Sequence, residues 1–295
     1  MEPKTLTSRT TLTDHTMRVQ APSLAAENRP WCLVVVAGPM VGNRFELGDA
    51  ATLGRESGVE IHLPEPSVSR RHCHVFRKRG GFWVNDLGAT NPVRVNGMQV
   101  KSSPLLEGDV LIIGDLMLKL LGPNSAENAM VAALHDQATK DVLTGIANRR
   151  HFRAEMERAF AQHPQIALIA LDVDHFKSIN DRFGHPAGDK VLSAVGGCLR
   201  QHCAAPNLAG RIGGEEFAIL LPAAHQDALA LAEQLRASIE AMPLEDEGRD
   251  ISVTASFGVA SRRADDANAD AIYSRADGAL YEAKRSGRNR VLGEA

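Results

Sequence analysis

Hydrophobic periodicity changes once along this chain, and that change constrains the fold more than any other feature. From Trp31 to about Leu121 the apolar residues come in short runs, CLVVVAG, HCHVF, GFWVND, VRVNG, VLIIG and LMLKLL, closely punctuated by Gly, Pro, Asn and Asp. Runs this short suit a pleated, half-buried surface, and the segment reads as an all-β sandwich. After Asp141 the patterns alternate: a helix to about Gln162, the strand IALIALDVD, helices to Cys203, a hairpin around GGEE, a helix over 224–242, the strand SVTASFGVAS, a helix over 268–286 and the strand NRVLG. Alternation of this kind builds a sheet covered by helices, an α/β architecture.

Between the two patterns, Gly122-Pro123-Asn124-Ser125 stops the strands, and Ser125 stands as an N-cap ahead of ENAMVAALHDQATK. Met130, Leu134 and Ala138 fall on one stripe of that helix, suited to a partner helix. The first 29 residues are polar and Thr-rich, without apolar periodicity, and read as a flexible tail. The expected division is a tail over 1–29, a first domain over 30–122, a helical linker over 123–140 and a second domain over 141–295.

With 23% charged residues and a net charge of −3, the chain lacks the basic excess of a nucleic-acid binder, so DNA is not an expected partner. The N-terminus has no apolar signal core, and the longest apolar runs, 32–37 and 110–113, fall far short of a membrane span. A cytoplasmic protein without membrane contact is expected. Cys32, Cys73, Cys198 and Cys203 show no CxxC spacing and read as reduced core thiols.

Chemistry concentrates in the second domain. IALIALDVD ends in Asp172 and Asp174, which the period-2 rule puts on one face where the strand reaches the rim. Farther on, LAGRIGGEEFAILL holds two apolar runs joined at Gly213-Gly214, with Glu215 and Glu216 just after the turn. A hairpin beside the first strand brings these acids toward Asp172. Any single acid reads equally well as a solvated strand end, but a cluster is most easily explained by Mg²⁺ or Mn²⁺. Lys177, and Lys284 with Arg288 at i, i+4, would suit a triphosphate.

DVDHFKSINDRFGHPAGDKVL, RIGGEEF, DVLTGIANRR, ASFGVA and LYEAKRSGRNRV resemble, in order, the signature segments of GGDEF-domain diguanylate cyclases. The resemblance covers Asp141 to about Leu292 and implies a ferredoxin-like palm that joins two GTP molecules into cyclic di-GMP. It implies Asp172, the carbonyl of Val173 and Glu215 as metal ligands, with Glu216 helping at a second ion. It implies Asn180 and Asp189 at the guanine edge, His185 near the ribose, Lys177 and the backbone near Phe176 at phosphates, and Lys284 and Arg288 on the β and γ phosphates. Gly213 and Gly214 would let the turn approach the nucleotide. Glu215 and Lys177 are the catalytic expectations, Glu215 easing deprotonation of the attacking hydroxyl. Each half-site in this family holds one GTP, so two copies would face each other as a homodimer, with two or more ions between them. The family's product-inhibition tetrapeptide RxxD is replaced, with Ala204 and Asn207 at its charged positions, and strong feedback there is not expected.

The first domain resembles forkhead-associated (FHA) domains, which read phosphothreonine, through GR, SxxH and a TN turn leading into VNG. The resemblance implies Arg55, Ser69 and Arg70 at the phosphate, Thr90 and Asn91 at the ligand backbone, and His72 as a brace beneath. A scaffold FHA domain without a ligand is the alternative, since the usual STNGT turn reads ATNPV here. The tail supplies a candidate ligand: Thr11, with Asp14 three residues on, phosphorylated by a Ser/Thr kinase and captured from the same chain or its dimer mate. A catalytically silent receptor or adaptor stands against the cyclase reading, and retention of Asp172, Glu215 and Glu216 favours the cyclase.

Overall fold

The computed structural model describes residues 29–294. Two compact units divide at Ala132 and Ala133.

The first unit is built from strands β1 (Trp31–Ala37), β2 (Arg44–Leu47), β3 (Ala50–Gly54), β4 (Ile61–His62), β5 (Cys73–Lys78), β6 (Gly81–Asp86), β7 (Arg94–Val95), β8 (Met98–Gln99), β9 (Ser102–Leu105), β10 (Val110–Ile113) and β11 (Leu116–Leu121). They form two sheets, ordered β2-β1-β11-β10-β7-β8 and β4-β3-β5-β6-β9. Alternate residues of both sheets, among them Leu33, Leu53, Val75, Val84, Leu111 and Leu118, share one core, the sandwich that the punctuated runs predict. The short strands β2, β3, β4, β8 and β9 lack a strong apolar run, and their place comes from pairing with neighbours.

Helix α1 (Ala126–Thr139) follows, opened by the Ser125 hydroxyl, which accepts the Asn128 N–H. Asn128 is buried; its side-chain amide donates to the carbonyls of Pro30 and Gly122, and its Oδ1 accepts the Cys32 thiol. Met130 and Leu134 remain 61% and 54% exposed.

The second unit contains β12 (Ala147–Asn148), α2 (Arg149–Gln162), β13 (Ala167–Val173), α3 (Phe176–Phe183), α4 (His185–His202), β14 (Leu208–Arg211), β15 (Glu216–Leu221), α5 (His225–Glu240), β16 (Glu245–Asp246), β17 (Arg249–Asp250), β18 (Ala255–Ser261), α6 (Ala269–Arg285) and β19 (Val291–Gly293). The main sheet runs β12-β14-β15-β13-β18-β19, with β13 between two antiparallel partners. Helices cover both faces. Ile169, Leu171 and Val173 pack with α3, α4 and α5, whereas Leu168 and Ala170 pack with α2 and α6. Every residue of β13 is buried, which explains why its sequence is apolar almost throughout.

The α6 stripe Ile272, Ala276, Leu280 lies flat on the sheet because β18 has Gly258 at the contact. A methyl group there would collide with the Ala276 carbonyl and the backbone nitrogen of Leu280. Gly278, on the outer side of the same helix, has open space around it. Gly258→Ala is therefore expected to destabilise this unit by about 1–3 kcal/mol through overpacking, and Gly278→Ala to stabilise it by about 0.5–1 kcal/mol. Urea unfolding of the two variants checks the opposite signs; a neutral Gly258→Ala would show that the helix seats elsewhere.

Candidate functional site

Register places the acids. Asp172 pairs with Glu216 on one side and with Ser256 on the other. It continues the row Leu168, Ala170 on the α2 and α6 face, and Lys284 continues the α6 stripe one turn past Leu280. Lys284 Nζ consequently lies 2.8 Å from Asp172 Oδ2, with Asp172 only 5% exposed. Burial pushes the Asp172 carboxyl above its ordinary pKa; Lys284 pulls it back, and the nearby Glu215 and Glu216 push it up again. Glu215 is tied in by its backbone carbonyl, which accepts the Val173 N–H at 3.2 Å. Glu216 folds back over Gly213, where a side chain would strike its carboxylate, while Gly214 faces open space.

Asp174, expected at the rim beside Asp172, is instead buried and spent inside the protein. It accepts the hydroxyls of Ser256 and Thr254 at 2.7 and 2.9 Å and the Asn289 N–H at 3.0 Å. Two hydroxyls and an amide satisfy a buried carboxylate, so this acid fastens the strand end to β18 and to the turn after α6.

Beyond it the chain turns through His175, in the left-handed region, into α3, which carries the buried Phe176 ring and the exposed Lys177. Asn180 lies two turns from Gly188 of α4 across the bend at Gly184. The helices approach so closely that a methyl on Gly188 would overlap Asn180 Oδ1, which is buried without a hydrogen-bond partner. His185 and Asp189 are exposed on the first turns of α4. At the far end of α6, Gly287 has φ +121° and the Arg288 N–H closes the helix on the Ala283 carbonyl, leaving the Arg288 side chain exposed.

One arginine links motifs that are distant in sequence. Arg211 reaches both Asp141 oxygens at 3.2 and 3.3 Å and donates to the Gly214 carbonyl at 3.1 and 2.7 Å. Burial works to raise the Asp141 carboxyl, but donation from Thr144 and Arg211 outweighs it and holds the pKa below its ordinary value. The GGEE turn is thus braced against the start of the second domain. The loop with Ala204 and Asn207 makes a tight turn, the Asn207 N–H donating to the Ala204 carbonyl, with no charged side chain at either position.

In the first unit, Arg55, Glu56, Ser69, Arg70, Arg71 and Thr90 line one shallow depression. Gly54 permits it, because a Cβ there would strike the Arg70 backbone. Ser69 Oγ accepts the Thr90 N–H at 3.1 Å, which leaves its own proton to donate, and Asn91 Nδ2 donates to the Ser67 carbonyl at 2.8 Å. Beneath lies His72, fully buried, whose Nδ1 accepts the Ser69 N–H. Asp86 accepts the N–H groups of Gly88, Ala89 and Val93 and so shapes the loop that carries Thr90 and Asn91.

The family model for the diguanylate cyclase GGDEF domain matches residues 138–290, and the FHA domain model matches residues 51–114. The chain belongs to the GGDEF family. Diguanylate cyclase DgcP of Pseudomonas aeruginosa is 38% identical over 223 residues, covering 70% of this chain and 33% of its own length. Diguanylate cyclase VdcA of Vibrio cholerae is 41% identical over 168 residues, covering 55% of this chain and 49% of its own length. The chain thus spans a third to a half of these relatives. The coiled coil and GGDEF domain of DgcB from Caulobacter crescentus, solved in complex with c-di-GMP, superposes with a TM-score of 0.54 at 34% identity, covering 57% of this chain and 91% of that one.

Within the GGDEF domain the structure brings Asp172, Val173, Glu215, Glu216 and Lys284 together, and separately sets Asn180 against Gly188, the residue before the exposed Asp189. Among the described residues no three His, Cys, Asp or Glu side chains form a ready-made metal cage. That donor set still fits Mg²⁺, which takes one or two carboxylates and completes its shell with water and substrate phosphates. Thr11 lies outside the described residues. Sequence reasoning missed Arg71, Asp86 and the roles of Arg211 and Asn289; the doubled arginine in SRRH was the available signal for Arg71. No helix among the described residues is long and apolar enough to cross a membrane.

Burial holds the His72 imidazole below its ordinary pKa, against the pull of Asp86 and the Asn91 backbone. The folded FHA domain holds the His72 proton less tightly than the unfolded chain, whose imidazole titrates near about pH 6.5, so stability is lost as pH falls below that value. The thermal midpoint of this unit should drop between about pH 7.5 and about pH 5.5, and His72→Gln should flatten the slope. An unchanged slope in the variant would assign the acid sensitivity to another group.

Proposed function

We propose that the chain is a diguanylate cyclase that condenses two GTP molecules into one cyclic di-GMP and two pyrophosphates, under the control of phosphothreonine binding to its FHA domain. The observation that carries the reading is the buried Asp172, paired in register with Glu216, next to Glu215, and met by Lys284. A divalent cation, Mg²⁺ or Mn²⁺, held by Asp172, the Val173 carbonyl and Glu215 with help from Glu216, would supply charge stabilisation at the attacking and leaving oxygens.

The protein's own groups do the rest. Asn180 and Asp189 read the guanine edge, and the unpartnered amide oxygen of Asn180 is a polar group waiting for a donor. His185 lies at the ribose, Gly213 and Gly214 admit the phosphates, and Lys177, Lys284, Arg288 and the backbone at Phe176 neutralise them. Glu215 takes the proton of the 3′ hydroxyl as its oxygen bonds to the α-phosphorus of the second GTP and the α–β bridge breaks. Two such transfers close the ring, which requires two half-sites and hence a homodimer; the exposed Met130 and Leu134 on α1 suit a helix pair between copies. With Ala204 and Asn207 uncharged, product feedback through that loop is weak.

The FHA reading rests on the depression that joins three arginines to a hydroxyl with a free proton. Arg55, Ser69, Arg70 and Arg71 would hold a phosphate dianion, with Thr90 and Asn91 aligning the peptide. The tail around Thr11, phosphorylated by a Ser/Thr kinase, is the proposed ligand.

The test is GTP turnover with Mg²⁺, products separated by chromatography, with and without a peptide of residues 5–18 phosphorylated at Thr11. Wild type should yield cyclic di-GMP, and Glu215→Gln should lower the rate by about 10²- to 10⁴-fold. Arg55→Ala should weaken the phosphopeptide by about tenfold or more, the worth of a charged hydrogen bond. No product from the wild type would favour the silent receptor, and equal binding of the unphosphorylated peptide would end the phosphothreonine reading.

A further inference from the structure

We infer that the hairpin β16–β17 is a strap that sets the spacing of the two base-reading helices, making Asp246 and Arg249 positioning residues for nucleotide selection. The inference rests on Asn180 and Asp189 reading the base.

The hairpin reaches both helices. Asp246, 9% exposed, forms an ion pair with Lys190, the residue after Asp189 on α4. Arg249 lies over the Phe183 ring at 5.1 Å, and Phe183 ends α3 three residues after Asn180. Arg182 packs over the same ring at 4.9 Å, so two guanidinium groups and the core both hold Phe183. The strap itself is stiff: Glu247 and Gly248 both have positive φ, at 50° and 75°, the pattern of a tight two-residue turn, and the Ile251 N–H donates to the Leu244 carbonyl at 2.8 Å.

Helices α3 and α4 meet at the bend around Gly184, where Gly188 leaves no space between itself and Asn180 Oδ1. The backbone bend alone sets a hinge at one end of the pair. The hairpin ties its two contacts to opposite sides of that hinge, one on α3 and one on α4. Among the described residues it makes no hydrogen bond or ion pair with Asp172, Glu215 or Glu216. Loosening it should therefore let Asn180 and Asp189 drift apart, weakening the base contacts while leaving the phosphoryl-transfer groups in place.

The full chain is titrated calorimetrically with a nonhydrolysable GTP analogue and its ATP counterpart, and turnover of GTP is measured in parallel. Asp246→Asn and Arg249→Ala are each expected to weaken the GTP analogue by about two- to fivefold, the range of partly exposed ion and cation–π pairs. The ATP analogue should be unchanged, so the guanine preference narrows, and KM should rise with kcat nearly constant. The charge exchange Asp246→Lys with Lys190→Asp should restore most of the loss, as Arg249→Lys should relative to Arg249→Ala. Equal weakening of both analogues, a fall confined to kcat, or failure of the exchange in a chain with wild-type thermal stability would overturn the strap. A wild type that binds the GTP analogue but makes no cyclic di-GMP leaves the strap standing and removes the cyclase; one that binds neither analogue removes both.

Discussion

The second unit is organised around one carboxylate that has no business being buried alone. Asp172 closes a strand whose every residue is inside, and an isolated charge there would be costly. Lys284 supplies the compensating charge, but only because α6 lies flush on the sheet, which in turn requires Gly258. The helix contact, the missing side chain and the ion pair are one structural decision. The partner strand sets Glu216 opposite Asp172 in register, and the Glu215 carbonyl just before it accepts the Val173 N–H. Like charges gathered this closely raise one another's energy, and the site is left with a standing preference for a cation.

Asp174 shows how the surrounding polar network keeps that preference at one position. Its two oxygens are taken by Ser256, Thr254 and Asn289, and Asn289 continues to Arg236 and Glu240 on α5. This acid is a fastener between β18, the turn after α6 and α5. Were it free, the strand end would present two competing carboxylates on one face, and the turn bearing Arg288 would lose its anchor.

Much of this was legible from sequence because it follows periodicity. Period 2 along β13 and the Gly213-Gly214 hairpin bring the two glutamates toward Asp172, and the i, i+4 spacing on the last helix singles out Lys284 with Arg288; that Lys284 meets Asp172 was not legible. What escaped depends on contacts between segments far apart in the chain. Arg211 joins Asp141 to Gly214 across seventy positions, and nothing local to any of the three announces it. The hairpin at Glu245–Asp250 escaped for a different reason: every residue but Gly248 is charged, so it has no apolar signature, and an ion pair from the buried Asp246 and a stacked guanidinium hold it in place of an apolar core. Asp86 was hidden in the same way, as an acid whose partners are three backbone N–H groups and no side chain.

The two units carry opposite charge at their candidate sites. The FHA depression gathers positive charge through Arg55, Arg70 and Arg71 beside one acid, Glu56; beneath it the buried His72 and the half-buried Asp86 spend their hydrogen bonds on holding loops. A basic fork of this kind recognises a phosphate and leaves it unchanged. The GGDEF site instead gathers carboxylates, which repel a phosphate unless a cation mediates, and keeps its lysine on the acid. An arrangement that sets a mediating cation among its acids is well suited to transfer, because such a mediator acts most strongly where charge develops on the bridging oxygens. The charge inversion between the two sites is thus the physical basis for reading one as a receptor surface and the other as a catalytic one.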